Sequence, residues 1–501
     1  MYPEVHVSVA ALPSNLISLG APAAERDMER GLEHYFVESD AFRRVLSGET
    51  TVVLGNRGAG KSAIFQMLAR RCRAKGVRVI ELAPDDYSYE MLRRTMQSEE
   101  EGSWAKYGAY AAAWKYTLLI LIMKDLCRRQ VRSKNASEAA IRKYVREHHH
   151  RPEMGTLWAL ASYLKRLEGF KVGKYEAQVK VKELERLYKL DEIRYLVPHL
   201  QKALEDQKIV VIIDELDKGW DSSEDAQAFI AGLFQACVSL NSLSPHLRAY
   251  ISLRQELYDN TPSLYEDAQK YRDLIETISW TEDDLRSLIA RRLRYSVPRL
   301  ADASDTRCWR TLFASTLPAE TSNSFRYIVD RTLHRPREMI LFCAQSLQTA
   351  GQRGAPLPMD KATILAAEVE YSRGRTHDVA AEQRFQYPDL LSIFETFRGM
   401  PDTMDRADLE YAALEIVSGD VVVGQRARRW LADHDEDALI EVLWRVGFLE
   451  AEVTARPLDT VDGSFVAHHR ANTLNVRNVR RFRIHPMFRA YLGTRTPDDL
   501  E

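Results

Sequence analysis

A glycine-rich turn, lying between a β-branched run and a helix-forming run, is the part of the sequence whose residue types and spacing most clearly suggest chemistry. Gly55 and Gly60, followed by Lys61 and Ser62, fit the spacing GxxxxGK followed by Ser or Thr. In such a turn the backbone N–H groups and the start of the next helix face a phosphate, because the helix dipole favours an anion there. Average residue usage gives a chance match in about one or two of a hundred chains of this length. The turn therefore predicts a nucleotide-phosphate site.

The expected ligands of this turn are ATP and Mg²⁺. Lys61 is expected to reach the β- and γ-phosphates, and the Ser62 hydroxyl is expected to ligate magnesium. The residues expected to contact the nucleotide are Gly55, Asn56, Arg57, Gly58, Ala59, Gly60, Lys61, Ser62 and Ala63.

Two carboxylates follow an apolar run much later in the chain. Residues 209–213 are five consecutive β-branched residues, as in a strand buried on both faces of a parallel sheet, and Asp214 and Glu215 come next. Both acids would emerge at the carboxyl edge of the sheet, where ligands of open α/β sheets bind. We expect Asp214 to hold magnesium and Glu215 to polarise the attacking water. Either acid alone often just ends a strand, but together with the upstream turn the pair predicts ATP hydrolysis.

Arginines supply two weaker signals, and each leaves two interpretations open. Arg254 ends the strand-like stretch "SLR", where a guanidinium could bind the γ-phosphate bidentately as a catalytic residue, or simply lie on the surface. In "HRPREM", Arg335 or Arg337 could reach over the nucleotide from a helical lid. A helix start with Pro336 at its first position explains the same residues.

The elements that must position these residues form an α/β pattern. Strand-like runs are expected at Thr51–Leu54, Val77–Leu82, Ile209–Ile213, Leu247–Arg254 and Ile275–Trp280. With helices between them, five such strands describe an open, doubly wound parallel sheet. No comparable strand occurs between Pro84 and Gln207, so we expect a long helical insertion in the sheet domain.

The same pass along the chain predicts four segments. Residues 1–48 are a lead-in, 49–280 the P-loop ATPase core with its insertion at 84–207, 281–350 a helical lid, and 351–501 a C-terminal domain of helices with two strand-like runs. Thr281 is a candidate N-cap for the lid. The stretch at 351–360 is rich in Gly and Pro, and this composition predicts a linker.

The motifs together resemble a known family. The stretches "GNRGAGKSA", "VVIIDELDKGW", "ISLRQELYD" and "RTLHRPREMI" are similar to bacterial P-loop ATPases of the additional-strand, catalytic-glutamate class. Within that class the sequence resembles a poorly characterised prokaryotic ATPase family, through "AAERDMERGLEHYFVESDAF" and "FRIHPMFRAYL". Relatives of that family are signal-transducing ATPases with numerous domains (STAND) and the origin-recognition type of AAA proteins.

The resemblance implies a five-stranded core, a helical lid and a winged-helix-like C-terminal region. It also implies ATP-dependent assembly, often in bacterial defence against phage. The family's site residues carry over to Lys61, Ser62, Asp214 and Glu215, and also to Arg254 and Arg337. The insertion at 84–207 departs from a minimal AAA module.

Composition excludes several classes of protein. A formal net charge of -2 excludes a globally basic nucleic-acid coat, and five cysteines without a CxxC pair argue against disulfide frameworks and zinc sites. The longest apolar run, 110–123, carries Lys115 and is shorter than the roughly 20 residues that span a bilayer. We therefore expect a cytoplasmic protein without a membrane segment. The adjacent histidines His148 to His150 indicate a solvated basic face rather than a metal site.

The expected partners are further copies of the chain and a separate effector protein. Arg291 and Arg292 in the lid are candidates for a composite site between subunits. The alternative function is a DNA-binding AAA-type loader or remodeller, since residues 464–496 contain seven arginines and no acid. Those arginines could track phosphates or dock on acidic groups of the protein itself, and nucleic-acid contact stays open.

Overall fold

The computed structural model describes residues 17–82, 103–128, 136–149, 193–215, 224–259, 261, 268–315, 323–453, 465–471 and 473–496. The chain divides into two compact units. The sheet unit is Glu38–Ser279, and the helical unit is Met1–Val37 together with Trp280–Glu501. The four-segment division expected from the sequence stays a prediction.

The α-helices and β-strands are numbered along the chain. The α-helices of the described residues are α1 (Ala24–Glu29), α2 (Leu32–Tyr35), α3 (Asp40–Ser47), α4 (Lys61–Ala74), α5 (Ser103–Cys127), α6 (Ala136–His148), α7 (Val197–Glu205), α8 (Glu224–Asn241), α9 (Gln255–Asp259), α10 (Ala268–Tyr271), α11 (Glu282–Ser296), α12 (Asp305–Leu312), α13 (Ser324–Val329), α14 (Pro336–Arg353), α15 (Lys361–Glu382), α16 (Leu390–Thr396), α17 (Arg406–Ser418), α18 (Gln425–Leu431), α19 (Glu436–Arg445) and α20 (Pro486–Leu492). The strands are β1 (Val52–Leu54), β2 (Arg78–Leu82), β3 (Ile209–Ile213), β4 (Leu247–Leu253), β5 (Ile275–Thr277), β6 (Thr403–Asp405), β7 (Leu449–Glu452), β8 (Phe465–Ala467) and β9 (Arg481–Ile484).

The sheet unit is built on a five-stranded parallel sheet in the order β2-β3-β4-β1-β5. This confirms the expected α/β class and the five parallel strands. β3 has the bounds that its apolar run predicts, and all five of its residues are buried. β5 is shorter than expected and ends at Thr277, because it pairs only with the three residues of β1.

Helices of the insertion cover the sheet unit's core. α5, α6 and α7 lie within the stretch predicted to be helical, whereas the periodic runs "LWALASYLKRLEGF" and "VKVKELERLYKL" lie outside the described residues. Tyr110 and Trp114 of α5 stack edge-on against Phe229 of α8, at 6.1 and 5.1 Å between ring centroids. Trp114 is therefore a buried packing residue. No helix in the described ranges is both long and apolar enough to cross a membrane.

Two ion pairs fix α3 in the sheet unit. Arg44 donates from Nε and Nη2 to the two carboxylate oxygens of Glu276 in β5, both at 2.6 Å. Arg71 of α4 donates to Glu38 at 2.5 Å. The contacts place residues 38–48 with the sheet, although the sequence suggested that they end a separate lead-in.

The N-terminal segment of the helical unit is held by a buried charge pair. The Asp27 carboxylate accepts from Arg292 Nη2 of α11 at 2.7 Å, from Tyr35 Oη at 2.8 Å and from the Ala21 backbone N–H at 2.6 Å. The two charged side chains are only 2% and 4% exposed. Gly20 has φ of 79°, and a Cβ there would collide with this cluster, so the close approach requires glycine.

The longer part of the helical unit begins with a well-capped helix. Thr281 caps α11 and forms a capping box with Asp284, which confirms the predicted N-cap. The Gly- and Pro-rich stretch after α14 is a packed connection, because Met359 is fully buried and its N–H donates to the Leu312 carbonyl at 2.7 Å.

A small antiparallel sheet in the order β6-β9-β7-β8 completes the helical unit. Phe482 and Ile484 of β9 are buried, while Arg481 and Arg483 take the opposite face, as strand alternation predicts. Arg483 Nε donates to Glu450 at 2.6 Å. The sequence indicated the β8 and β9 runs but gave no signal for β6 or β7. The winged-helix assignment stays a prediction.

One histidine of the helical unit is held neutral. Arg470 donates to His334 Nε2 at 2.6 Å, just before α14. Burial, together with the guanidinium groups of Arg470 and Arg326, lowers the pKa of His334 to about 3. An unfolded chain binds a proton on this histidine below pH about 6.5, whereas the folded protein does not. This contribution to stability is fully present above pH about 6.5 and is lost as the pH falls towards 3.

We expect Arg292→Met to destabilise the helical unit by about 3–5 kcal/mol, because it leaves the Asp27 carboxylate buried and unpaired. Arg291→Met is the matched control, since Arg291 is exposed and donates to the Phe36 carbonyl. Hydrogen exchange of the α11 amides measures the change. Equal protection in the two variants would show that the buried pair is not what holds the segment.

We expect His334→Gln to reduce the loss of stability between pH 7 and pH 5, because the variant removes a group that must take up a proton on unfolding. Urea denaturation at a series of pH values measures the slope. His377→Gln, which changes an exposed histidine of α15, is the control and should keep the parental slope. A slope unchanged by His334→Gln would contradict the assignment.

Candidate functional site

The turn between β1 and α4 has the geometry of a phosphate-binding loop. Gly58 and Gly60 have φ of 80° and 100°, in the left-handed region that favours glycine. Gly60 is the N-cap of α4, so the first N–H groups of that 14-residue helix open onto the loop. Lys61 Nζ donates to the carbonyls of Gly55 at 2.7 Å and Asn56 at 3.1 Å. The lysine therefore lies over the loop, where a phosphate oxygen can replace these carbonyls.

Packing of β1 and α4 fixes this turn. β1 is buried between β4 and β5, and its backbone bonds continue to Ile251 and Ile278 on either side. Ile64 and Phe65 in the first turns of α4 are also buried. The short buried strand and the anchored helix therefore hold the two ends of the loop.

Strand register brings a serine onto the acid that follows β3. Ile213 pairs with Ile251 across β3 and β4, so Asp214 lies level with Ser252. Ser252 Oγ donates to Asp214 Oδ1, and the Glu215 backbone N–H donates to the same oxygen at 2.9 Å. Ser252 is buried. The sequence analysis missed this role of Ser252, since only the register of two distant strands shows it.

Glu215 and Arg254 lie at the same edge of the sheet. Glu215 has φ of 59°, a conformation that residues with a side chain adopt rarely and that clusters at functional sites. Leu54 pairs with Leu253, so Arg254 follows β4 at the level where Gly55 follows β1. The structure thus brings together the loop, Asp214, Glu215 and Arg254 at the carboxyl ends of three adjacent strands.

The arginines expected in the lid lie in the helical unit. Arg335 Nη1 is 4.0 Å from the Glu382 carboxylate, whereas within the described ranges Arg337 has no recorded hydrogen bond or ion pair. Arg292 is buried against Asp27, and this corrects its expected use as an arginine offered to another subunit. The physical reason is that removing a guanidinium from a buried ion pair leaves the carboxylate buried and unpaired, which costs free energy.

The donor set suits magnesium rather than a softer metal. Ser62 supplies a hydroxyl and Asp214 a carboxylate, the oxygen ligands that Mg²⁺ takes from proteins alongside substrate phosphates. Among described residues, no group of three or more His, Cys, Asp or Glu could hold a metal by itself. His148 stacks on Tyr144 at 4.6 Å between ring centroids. His149 contacts Tyr116 Oη at 3.2 Å, so both of these histidines pack against tyrosines.

Comparison with known proteins gives two sequence matches. Residues 283–380 match the family model of the FunZ-associated C-terminal helical domain, which runs from the first turn of α11 almost to the end of α15. The chain is also similar to the putative transposon gamma-delta 80.3 kDa protein of Escherichia coli (strain K12). The two are 24% identical over 488 residues, which is 94% of this chain and 66% of that protein. The chain therefore spans just under two thirds of that relative.

Among solved structures, the chain is similar to the Aeropyrum pernix ORC2 protein, solved as ADPNP and ADP complexes. The match covers 95% of this chain and 96% of that one, at 13% identity and a TM-score of 0.28. Overlap this low establishes no shared fold, so the case for a nucleotide site depends on the loop and the acids.

We expect Ser252→Ala to lower the rate of ATP turnover by about tenfold or more, with little change in ATP affinity. The variant removes a hydrogen bond to a charged carboxylate, a loss of about 1.5–3 kcal/mol. Steady-state kinetics measure kcat and KM separately. Ser252→Thr keeps the hydroxyl and should keep most of the activity. Parental kcat in Ser252→Ala would remove this serine from the site.

Proposed function

We propose that this protein binds ATP in the loop between β1 and α4, hydrolyses it, and uses the cycle as a molecular switch that controls assembly or a partner effector. The observation that carries the proposal is the bond from Ser252 to Asp214, at the same sheet edge as the loop that Lys61 covers. A glycine turn that matched the motif by chance would not be expected to lie beside a carboxylate held by hydrogen bonds.

The loop supplies binding energy for the phosphates. The backbone N–H groups at the start of α4 and the Lys61 ammonium group face the same space as the loop carbonyls. Charge-assisted hydrogen bonds of this kind are about twice as strong as neutral ones. Lys61 gives up its bonds to Gly55 and Asn56 and takes a phosphate oxygen, so its positive charge is then paired with the negative charge of the phosphate.

The acids divide the chemistry between them. Mg²⁺, when bound with ATP, neutralises charge that develops on the phosphates. The Ser252 hydroxyl and the Glu215 backbone N–H both donate to the same oxygen of the Asp214 carboxylate. These two bonds fix the orientation of the carboxylate and leave its other oxygen for magnesium. Glu215, next in the chain, orients the attacking water and accepts its proton. We assign Arg254, which follows β4 at the same sheet edge, to the γ-phosphate. Arg337 stays a predicted nucleotide contact.

The switch role and the biological process are proposals that go beyond ATP hydrolysis itself. Hydrolysis changes the charge in the loop, and such a change can bias a two-state element. A homo-oligomer and a separate effector are the partners we propose, and the family resemblance points to defence against phage. The E. coli relative is named as a putative transposon protein, which concerns that protein and leaves the process in this one to be tested.

The DNA-binding alternative has less support. Within the helical unit, Arg483 is paired with Glu450 and Arg489 with Asp402, and Arg495 donates to the Gly399 carbonyl at 2.7 Å. These arginines of the basic tail are therefore neutralised or occupied inside the protein. This favours the interpretation in which the tail docks on acidic neighbours.

We expect Glu215→Gln to bind ATP with near-parental affinity and to hydrolyse it at least about a hundredfold more slowly, because the amide cannot accept the water proton. Lys61→Ala should lose ATP binding itself. Glu256→Gln changes a carboxylate in α9 beyond the sheet edge and is the control. Phosphate release and equilibrium binding of ATP measure the two effects. Parental turnover in Glu215→Gln would overturn the catalytic assignment.

A further inference from the structure

One face of α17 is apolar but exposed. The helix buries Leu409, Ala413 and Ile416 in the helical unit. Tyr411 and Leu414 on its other side are 64% and 48% exposed. They are three positions apart, so they are neighbours on one helix face. Large exposed apolar side chains that adjoin one another mark a surface used for interaction.

Acidic residues adjoin this α17 face. Asp408 lies three positions before Tyr411, and Glu415 lies four positions after it, so both are on the same side of the helix. Asp408 is exposed and Glu415 is partly exposed, and neither has a hydrogen bond or ion pair from its side chain within the described ranges. The face therefore has an acidic border.

A basic border adjoins the acidic one. Arg406, the first residue of α17, donates from Nη2 to Asp437 of α19. The same residue donates from Nη1 to the Val476 carbonyl and from its backbone N–H to the Arg480 carbonyl, each at 2.8 Å. Residues 476–480 carry Arg477 and Arg480, both exposed and without a side-chain partner in the described part of the chain. Opposite charges thus lie side by side.

We propose that the α17 face, formed by Tyr411 and Leu414 with their acidic and basic borders, docks a second copy of this chain about a two-fold axis. A two-fold interface needs a self-complementary surface, and adjoining borders of opposite charge provide one, since each acidic border meets the partner's basic border. An apolar centre with a polar rim is the usual anatomy of such an interface. The inference rests on the assembly part of the proposed function and assigns it a surface.

Charge selects a second copy over nucleic acid as the occupant. Asp408 and Glu415 flank Tyr411 on the same side of α17. A duplex covering this face would bring phosphates onto carboxylates and would lose the counterion release that drives such binding. A second copy instead places Arg477 and Arg480 there.

The test is a charge swap followed by mixing. The mass of the full-length Glu215→Gln protein is measured by sedimentation in ATP over a concentration series. Asp408→Lys with Glu415→Lys, and separately Arg477→Glu with Arg480→Glu, should each weaken association at least about tenfold, since like charges then face each other. An equimolar mixture of the two swapped proteins should associate again, because each new border meets its complement.

Apolar variants complete the experiment. Tyr411→Ala should weaken association, whereas Phe385→Ala, which removes a ring that is 49% exposed outside α17, should not. A parent protein that stays monomeric, a mixture that fails to reassociate, or a monomer that binds duplex DNA through Arg477 and Arg480 would overturn the proposal. ATP binding is measured on the same samples. Lost ATP binding in the parent refutes the proposed function, and intact binding without association refutes the docking surface alone.

Discussion

Parallel alignment of the strands in the sheet unit is the constraint on which the candidate site depends. Because all five strands run the same way, the carboxyl ends of β1, β3 and β4 meet at one edge. This alignment brings the loop that ends β1, the acids that end β3 and the serine near the end of β4 to the same edge. A register shift of one residue between β3 and β4 would turn Ser252 away from Asp214. The chemistry therefore depends on sheet register more than on any single contact at the edge.

Local patterns in the sequence predicted the parts of the molecule that are locally determined. The run Ile209–Ile213 is apolar on both faces, so its strand bounds were clear, and the glycine spacing determines the phosphate loop by itself. Ser252 could not be found in this way, since a serine in a strand has no signal until its neighbour strand is known. The edge strand β6 and the strand β7 were not predicted, because their residues, "TMD" and "LEAE", lack a run of β-branched side chains.

Charge in the helical unit shows a second limit of sequence reasoning. Net charge and clusters indicate where ions are concentrated, but only the fold shows whether they are already paired. Arg292 looked available for another subunit and is buried in a pair. Arg483 looked available for phosphate and meets Glu450, whereas Arg477 and Arg480 of the same segment remain exposed. Function inferred from arginine content alone would have chosen the wrong residues.

The pair between Asp27 and Arg292 also bears on how the chain is made. Its partners are 265 positions apart. At a synthesis rate of roughly 5–20 residues per second, the arginine leaves the ribosome roughly 13 to 50 seconds after the aspartate. The whole sheet unit emerges during that interval and can fold first, while Asp27 in the N-terminal segment has not yet met Arg292. A carboxylate that is buried in the folded protein is thus water-exposed while those 265 residues are made, and the last step for that segment is a long-range closure.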